Sequence, residues 1–371
     1  MGRLFTLASF AGLISILACL PASAQNAYVS NFVDGTVSVI DIASGSATGT
    51  ISVGSGPGSN PDGVAVAFDG SKAYVANHGD NTISVITTAS NTVLGLPISV
   101  GNTPLSVAVT PDDSTVFVTN FGDGTVSVID TAAQAASGSA IQVGSGASSA
   151  PRGLAVTPDG SKVYVANSGD GTVSVIGVAS RLVTGLIQVG AAPRGVAVTP
   201  DGSQVFVANY GDGTVSVIST ATDNVVGSAI PVGPNPAGLA VTADGSTVYV
   251  ANNGNDTVSV IGVAAGAVTA SVSPGFDSPI GVAATRDGSQ VFVVNGGSDS
   301  VTVISTASNT VTNSIPVGHN PVSLGQFIQP PAPPPPPAPA PALGPGATLA
   351  FVVLLGAMGW AAVHRRNRAF R

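Results

Sequence analysis

The sequence predicts an all-β fold, a seven-bladed β-propeller whose blades are four-stranded antiparallel sheets. Two observations point there: a unit of about 43 residues recurs seven times, and Gly, Val, Ser and Thr dominate a chain of 371 residues that contains no Glu. Helical bundles are rich in Glu, Lys, Leu and Ala, so this composition excludes one. The hydrophobic fraction of 44% also excludes a disordered chain.

Residues 1–24 are predicted to form a signal peptide. Arg3 supplies the positive start, an apolar run extends to Leu20, and Ala22-Ser23-Ala24 is a small-residue cleavage site. The segment 15–19 also loosely fits a lipoprotein signal, in which Cys19 would carry the lipid. Both alternatives leave the folded part without a thiol, since Cys19 is the only cysteine.

Residues 25–328 are predicted to form the propeller. Each repeat offers four strand candidates separated by Asp-Gly turns, and in the fifth repeat these are 195–199, 204–209, 214–219 and 225–232. Each second strand ends on an Asn in a Tyr/Phe-Val-x-Asn line. These residues are Asn31, Asn77, Asn120, Asn167, Asn209, Asn252 and Asn295.

The first blade is predicted to close through the end of the chain. Residues 27–31 are already a second-strand motif, so the first repeat has no inner strand ahead of it. Residues 321–328 match that missing strand. Such a closure removes the open sheet edges that a ring would otherwise leave.

The repeated line resembles the YVTN β-propeller repeat family. It reads Tyr-Val-Ala-Asn at 164–167 and continues as Gly-Asp-Gly-Thr-Val-Ser-Val-Ile, and seven copies cover about residues 25–328. Members are typically secreted or surface-layer-like propellers. The resemblance implies the fold and an exported location, and it implies little about a ligand.

Three segments follow the repeats. Residues 329–345 are predicted to be a stiff Pro-rich linker, 346–363 a transmembrane helix and 364–371 a basic cytoplasmic tail. Together they resemble bacterial C-terminal sorting signals of the PEP and IPTL kinds, although the Glu of the PEP form is missing. The tail is either removed by a protease or kept as an anchor. The predicted location is therefore the cell envelope or cell surface.

No metal and no cofactor is predicted. An Asp recurs at the turn after each second strand, which could suggest calcium, but each blade supplies only about one carboxylate there. Asp favours such turns because its side chain bonds to nearby backbone N–H groups. A quinone cofactor usually stacks on Trp, and the only one, Trp360, falls in the predicted membrane helix.

The candidate binding residues are those at which the repeats differ. They come from two loop sets, one after each motif Asn and one entering each first strand, which meet on one face of a propeller and surround the channel. Asp62 and Asp277 occur in the same loops. The alternative is that all are solvated loop tips. The predicted ligand-binding residues are Phe32, His78, Phe121, Arg152, Arg194, Tyr210 and His319.

The favoured function is a non-enzymatic one, a surface, matrix or adhesion scaffold that binds an extracellular protein, glycan or other ligand. The alternative is a periplasmic lactonase-like hydrolase, disfavoured because Glu is absent and the repeats contain only two His. Nucleic acid is excluded as a partner, because the propeller has six basic residues against 19 Asp and its field repels phosphate. The membrane is predicted as a partner through the C-terminal helix.

Overall fold

A computed structural model describes residues 25–330 and confirms a seven-bladed propeller of antiparallel sheets. The predicted signal peptide, transmembrane helix, basic tail and nearly all of the linker lie outside these residues. Blades are numbered 1 to 7 by the motif Asn that each contains. Within residues 25–330, no helix is long and apolar enough to cross a bilayer.

The first two strands of each blade lie nearest the axis. The inner strands of blades 2 to 7 are Pro61–Val66, Pro104–Val109, Pro151–Val156, Pro193–Val198, Pro236–Val241 and Pro279–Ala284. The second strands of blades 1 to 7 are Asn26–Asn31, Lys72–Asn77, Thr115–Asn120, Lys162–Asn167, Gln204–Asn209, Thr247–Asn252 and Gln290–Asn295.

The remaining strands form the outer half of each blade. The third strands are Thr36–Asp41, Thr82–Thr87, Thr125–Asp130, Thr172–Gly177, Thr214–Ser219, Thr257–Gly262 and Ser300–Ser305. Continuous outer strands occur in blades 1, 4, 6 and 7, at Ser46–Ser52, Leu182–Gln188, Ala267–Val272 and Thr310–Pro316. One 3-10 turn, Ala147–Ser149, precedes blade 4.

The outer strands of blades 2, 3 and 5 are interrupted, which differs from the continuous strand predicted for 225–232. Each has one more residue than blade 4 between the turn and the closing Val-Gly, and a glycine with φ near 70–80° accommodates it. The two halves of each strand pair separately with the third strand. These halves are Thr92–Val93 and Ile98–Ser99, Ala135–Ala136 and Ile141–Gln142, and Asn224–Val225 and Ile230–Pro231.

The predicted closure of blade 1 is confirmed. The segment 321–328 pairs with the second strand through the bridges Asn31 to Pro321 and Ala27 to Ile328. It is longer than the inner strands of the other blades, so it is bulged, with Ser323 at φ 43° and Gly325 at φ 127°. The fully buried Phe327 packs beside Tyr28 in the core of blade 1.

Two repeated side chains hold each blade together. The motif Asn is fully buried in every blade, and its Nδ2 donates to two hydroxyls of the third strand, as Asn167 does to Thr172 (3.0 Å) and Ser174 (2.9 Å). In blades 1 to 5 the Asp of the next turn accepts a backbone N–H from the crossover into the same blade, as Asp170 does from Ser145 at 2.7 Å, whereas Asp256 and Asp299 accept from the crossover into the following blade. These contacts support the turn interpretation of the Asp repeat.

Candidate active site at the upper channel mouth

Two loop sets meet on the upper face, where the chain enters the inner strands. In each blade the residue after the motif Asn donates its N–H to the residue before the inner-strand Pro, as His78 does to Asn60 (3.2 Å) and Tyr210 to Ala192 (3.2 Å). The two sets therefore lie side by side in every blade. The seven predicted binding residues belong to these loops or to the inner-strand residue that follows them.

A bulge sets the direction of the second residue of each inner strand. In blades 2, 4, 5 and 6 the pairing with the second strand shifts register within the first four residues, for example between Pro61 and Val64. Bulges next to active sites commonly redirect a side chain. The seven residues at this position form the upper-mouth ring: Val322, Asp62, Leu105, Arg152, Arg194, Ala237 and Ile280.

Asp62 is the only residue of this ring that carries a carboxyl group. Its side chain is buried, with 7% of the residue exposed, and its Oδ1 has no hydrogen-bond partner among residues 25–330. Burial raises the pKa of Asp62 to about 7, although the positive charge of Arg152 opposes the rise. A carboxyl with a pKa near 7 can take up and release a proton at neutral pH.

Arg152 lies close enough to Asp62 to act on its charge, Arg194 acts in turn on Arg152, and each of the two arginines packs against an aromatic ring. The Arg152 guanidinium lies 4.8 Å from the centre of the Phe121 ring, and that of Arg194 lies 3.3 Å from the centre of the Tyr210 ring. Burial lowers the pKa of both, and the charge of Arg152 lowers that of Arg194 further, to about 10. Both therefore remain cationic at neutral pH.

Both guanidiniums keep at least one buried donor that has no partner in the described part of the chain. The Nε atoms of Arg152 and Arg194 are buried and have no partner among the described residues. Neither guanidinium forms an ion pair with a described carboxylate, Asp62 included. Since buried polar groups are normally satisfied, two stacked arginines with spare donors are a prepared site for an anion or a developing oxyanion.

His78 and Phe32 form the edge of the site. Their rings make an edge-to-face contact with centres 5.8 Å apart. His78 is half-buried and its Nδ1 has no described partner. Burial, with a smaller contribution from the charge of Arg152, lowers the pKa of His78, so the ring is neutral at pH 7.

His319 does not join this group. Its Nδ1 lies 2.8 Å from Asp34 Oδ1, and 71% of its side chain is exposed. The hydrogen bond that Asp34 accepts from the His319 ring and the negative charge of Asp34 raise the pKa of His319. Of the seven predicted residues, the structure thus brings Arg152 to Phe121, Arg194 to Tyr210 and His78 to Phe32, and it leaves His319 on the rim.

Asp62 was noticed in the sequence only as a loop residue, and no catalytic residue was predicted. What identifies Asp62 in the sequence is its position within the repeat, directly after the Pro that begins the inner strand. Four of the seven ring positions are aliphatic and two are arginine, so only the second blade places a carboxyl there. A repeat-by-repeat alignment of the position after the inner-strand Pro would have grouped Asp62 with Arg152 and Arg194.

The upper-mouth cluster, defined as Asp62, His78, Phe121, Arg152, Arg194 and Tyr210, suits acyl chemistry better than cation binding. It combines one carboxyl with two guanidiniums, whereas a calcium site requires several oxygen ligands. Among residues 25–330, no three His, Cys or Asp side chains come close enough to hold a metal ion.

Below the cluster, the inner strands enclose an apolar cavity of about 440 Å³. Its walls begin at Gly153 and Gly195, which directly follow the two arginines, and they continue through Leu154, Val196 and Leu239. The cavity ends at the turns on the lower face.

The chain is similar to lactonase propellers over part of its length. The model of the family described as "Lactonase, 7-bladed beta-propeller" matches residues 146–235 and 229–314, which span blades 4 to 7. No curated protein matches the sequence significantly.

Three solved structures share the fold. The Kuenenia stuttgartiensis hydrazine synthase has a TM-score of 0.64 at 24% identity, and the match covers 72% of this chain and 89% of that one. A functionally unknown protein from Desulfotomaculum acetoxidans DSM 771 has a TM-score of 0.70 at 19% identity, covering 82% and 98%. A "putative 6-phosphogluconolactonase" from Bacteroides fragilis NCTC 9343 has a TM-score of 0.68 at 17% identity, covering 81% and 97%.

The family match corrects the prediction of a non-enzymatic surface scaffold. It favours the alternative, a lactonase-like hydrolase, instead. The prediction was wrong because it counted Glu and His over the whole chain. Burial gives the single carboxyl of Asp62 the proton affinity that was sought in those residue types.

Proposed function

We propose that this protein is a lactonase-like hydrolase whose active site is the upper-mouth cluster. The observation that carries the proposal is Asp62, a buried carboxyl with a pKa of about 7 on the same ring as Arg152 and Arg194, whose buried Nε atoms have no described partner. The match of blades 4 to 7 to the lactonase family supports it, and blades 4 and 5 supply both arginines.

In the proposed reaction, ionised Asp62 removes a proton from water as the oxygen attacks the lactone carbonyl carbon. The negative charge that develops on the carbonyl oxygen is stabilised by Arg152 and Arg194. The ring C–O bond then breaks, and Asp62 returns the proton to the departing alkoxide. The product is a hydroxy acid, and Asp62 ends in its starting state.

The neighbouring residues position these groups. The rings of Phe121 and Tyr210 pack against the two guanidiniums, which limits the directions in which their N–H groups point. His78 is neutral, so it adds no further positive charge that would lower the pKa of Asp62.

The test is hydrolysis of a panel of γ- and δ-lactones, followed by acid release in weakly buffered solution. Asp62→Asn should reduce kcat by 100-fold or more, as expected for loss of a general base. Arg152→Gln and Arg194→Gln should each reduce kcat/KM by about 10- to 1000-fold, since each removes oxyanion stabilisation.

The matched control is Asp130→Asn, which removes a carboxylate from a turn at the end of a third strand. It should retain full activity. Hydrolysis that is equally fast in Asp62→Asn and in the unaltered protein would refute the assignment of Asp62.

We further propose that the enzyme acts outside the cytoplasm, on the strength of the signal-peptide pattern in residues 1–24 and the sorting-like C-terminal segment. Fractionation with intact-mass measurement tests this. A mature chain in the envelope fraction that begins at Gln25 supports it, and a chain with residues 1–24 retained in the cytoplasm contradicts it.

A further inference from the structure

The lower face of the channel has its own ring of side chains. At the turn between inner and second strands, each of blades 2 to 7 contributes one residue just before an Asp. The usual residue is Pro, and blades 2 and 7 depart most from this pattern. The lower-mouth ring consists of Phe68, Pro111, Pro158, Pro200, Ala243 and Arg286.

The cavity of about 440 Å³ opens onto this ring. Five of the six ring residues line it, together with aliphatic side chains of the inner strands such as Val109, Val198 and Leu239. Arg286 is the only charged residue among those that line it. The volume falls in the range of about 300–1000 Å³ that small-molecule sites occupy.

The Arg286 side chain packs against an aromatic ring, but its guanidinium donors remain available to a ligand. It reaches past blade 1 and lies 4.8 Å from the centre of the Phe68 ring in blade 2. Its guanidinium makes no hydrogen bond or ion pair with any residue in the described range. The carboxylate whose charge acts on Arg286, Asp113, already accepts the backbone N–H groups of Phe68 (2.6 Å) and Asp69 (2.8 Å).

We propose that the channel binds a single-chain amphiphile with a carboxylate head, such as a medium-chain fatty acid, through the lower mouth. The carboxylate pairs with Arg286, and the hydrocarbon chain lies along the aliphatic walls. An apolar wall with a single cation at one end fits a ligand that has an apolar body and one terminal anion. A sugar acid fits poorly, because its hydroxyl groups would lose their hydrogen bonds to water along these walls.

This site is separate from the proposed active site. Arg286 belongs to the lower-mouth turns, whereas Asp62, Arg152 and Arg194 belong to the upper-mouth ring at the opposite ends of the inner strands. Binding of a fatty acid therefore does not depend on lactone hydrolysis.

The test is calorimetric titration of the purified protein with dodecanoate, below its micelle concentration, and with dodecyltrimethylammonium. Dodecanoate should bind, and the cation with the same chain should bind at least 10-fold more weakly. Arg286→Gln should weaken dodecanoate binding by 10-fold or more. The matched control, Arg181→Gln, changes an exposed arginine that bonds Ser137 on the outer strands and should have no effect.

A second variant tests the cavity rather than the charge. Ala243→Trp changes an exposed residue of the lower mouth, so it should fold normally and obstruct the opening. It should abolish binding, while Asp62→Asn should leave binding unchanged. Absence of dodecanoate binding, equal binding of the two amphiphiles, or full binding by Arg286→Gln or Ala243→Trp would each overturn the proposal.

Discussion

At the scale of single residues, the protein keeps one carboxyl in an environment that opposes its charge. Among residues 25–330, Asp62 is the only buried Asp, and the other carboxylates lie in half-buried or exposed turns. Burying this carboxyl lowers the free energy of unfolding at pH values where the group would be ionised in water. Because the pKa of Asp62 is raised to about 7, the native state holds this proton more tightly than the unfolded chain does.

Replacing Asp62 should therefore stabilise the fold in a pH-dependent way. The unfolded carboxyl ionises near pH 4, so the free energy of unfolding of the unaltered protein falls between about pH 4 and pH 7. The Asp62→Asn variant lacks this fall, so its free energy of unfolding at pH 8 should exceed that of the unaltered protein by about a few kcal/mol. Denaturant unfolding at pH 4 and pH 8 measures it. If the variant were more stable than the unaltered protein by the same amount at both pH values, the pKa of Asp62 would not be raised in the native state.

At the scale of elements, the sequence reveals strands and turns well but not the departures from the repeat. The Asp-Gly turns and alternating Val residues were sufficient to predict four strands in each blade. The inner-strand bulge was not predictable from them, because it depends on pairing with the second strand. The interrupted outer strands arise from a single extra residue, which shifts the inward and outward alternation partway along a segment predicted as one strand.

The turns between inner and second strands should make the fold sensitive to acid. In blades 3 to 7 the turn Asp accepts hydrogen bonds from a Thr two residues before it and a Ser two residues after it, and these lower its pKa. A carboxyl with a lowered native pKa stabilises the fold above its unfolded pKa, and this contribution is lost as the pH falls through the native pKa. The melting temperature should drop as the pH is lowered from about 5 to about 2.

Asp159→Asn provides the comparison for these turns. This variant should melt at a lower temperature than the unaltered protein at pH 7. At acidic pH the two melting temperatures should approach each other, because protonation removes from Asp159 the charge that the variant already lacks. A constant difference in melting temperature across this range would contradict the hydrogen-bonded carboxylate.

A glycine follows five of the seven upper-mouth ring residues and allows the inner strands to pack closely. A Cβ at Gly153 would collide with the carbonyl oxygen of Arg194 in the next blade. Gly153→Ala should therefore lower the melting temperature and reduce lactone hydrolysis, since it pushes the Arg194 backbone away. Gly49→Ala is the control, because a Cβ there meets nothing within 4 Å. Equal stability of the two variants would contradict the close approach.

At the scale of the whole molecule, the repeats make the fold predictable from the sequence, whereas the residues that differ between the repeats form the site. The seven Asn motifs and the closing segment could be counted in the sequence, and the structure confirms both. The site depends on which blades lie beside each other and on what is buried there. Asp62 in blade 2 acts on Arg152 in blade 4, and Arg152 on Arg194 in blade 5, although these residues are far apart in the sequence.

Closure of the ring should be essential to stability. A chain that ends at Gly318 would lose the segment that pairs with Asn26–Asn31 and buries Phe327. It would leave a second strand as an open edge, which favours aggregation. We expect a lower melting temperature and aggregation by light scattering, compared with a chain that ends at Pro330. A monomeric and equally stable short chain would contradict the closing role of this segment.

The central claim is that Asp62 acts as the base in lactone hydrolysis. The most direct measurement is the pH dependence of kcat/KM for the best lactone substrate, with the uncatalysed rate subtracted. We predict that kcat/KM rises with pH and levels off above an apparent pKa near 7, which is the value that burial gives Asp62. Asp62→Asn should lose both the rate and this transition, and a transition near 7 that persists in Asp62→Asn would contradict the account.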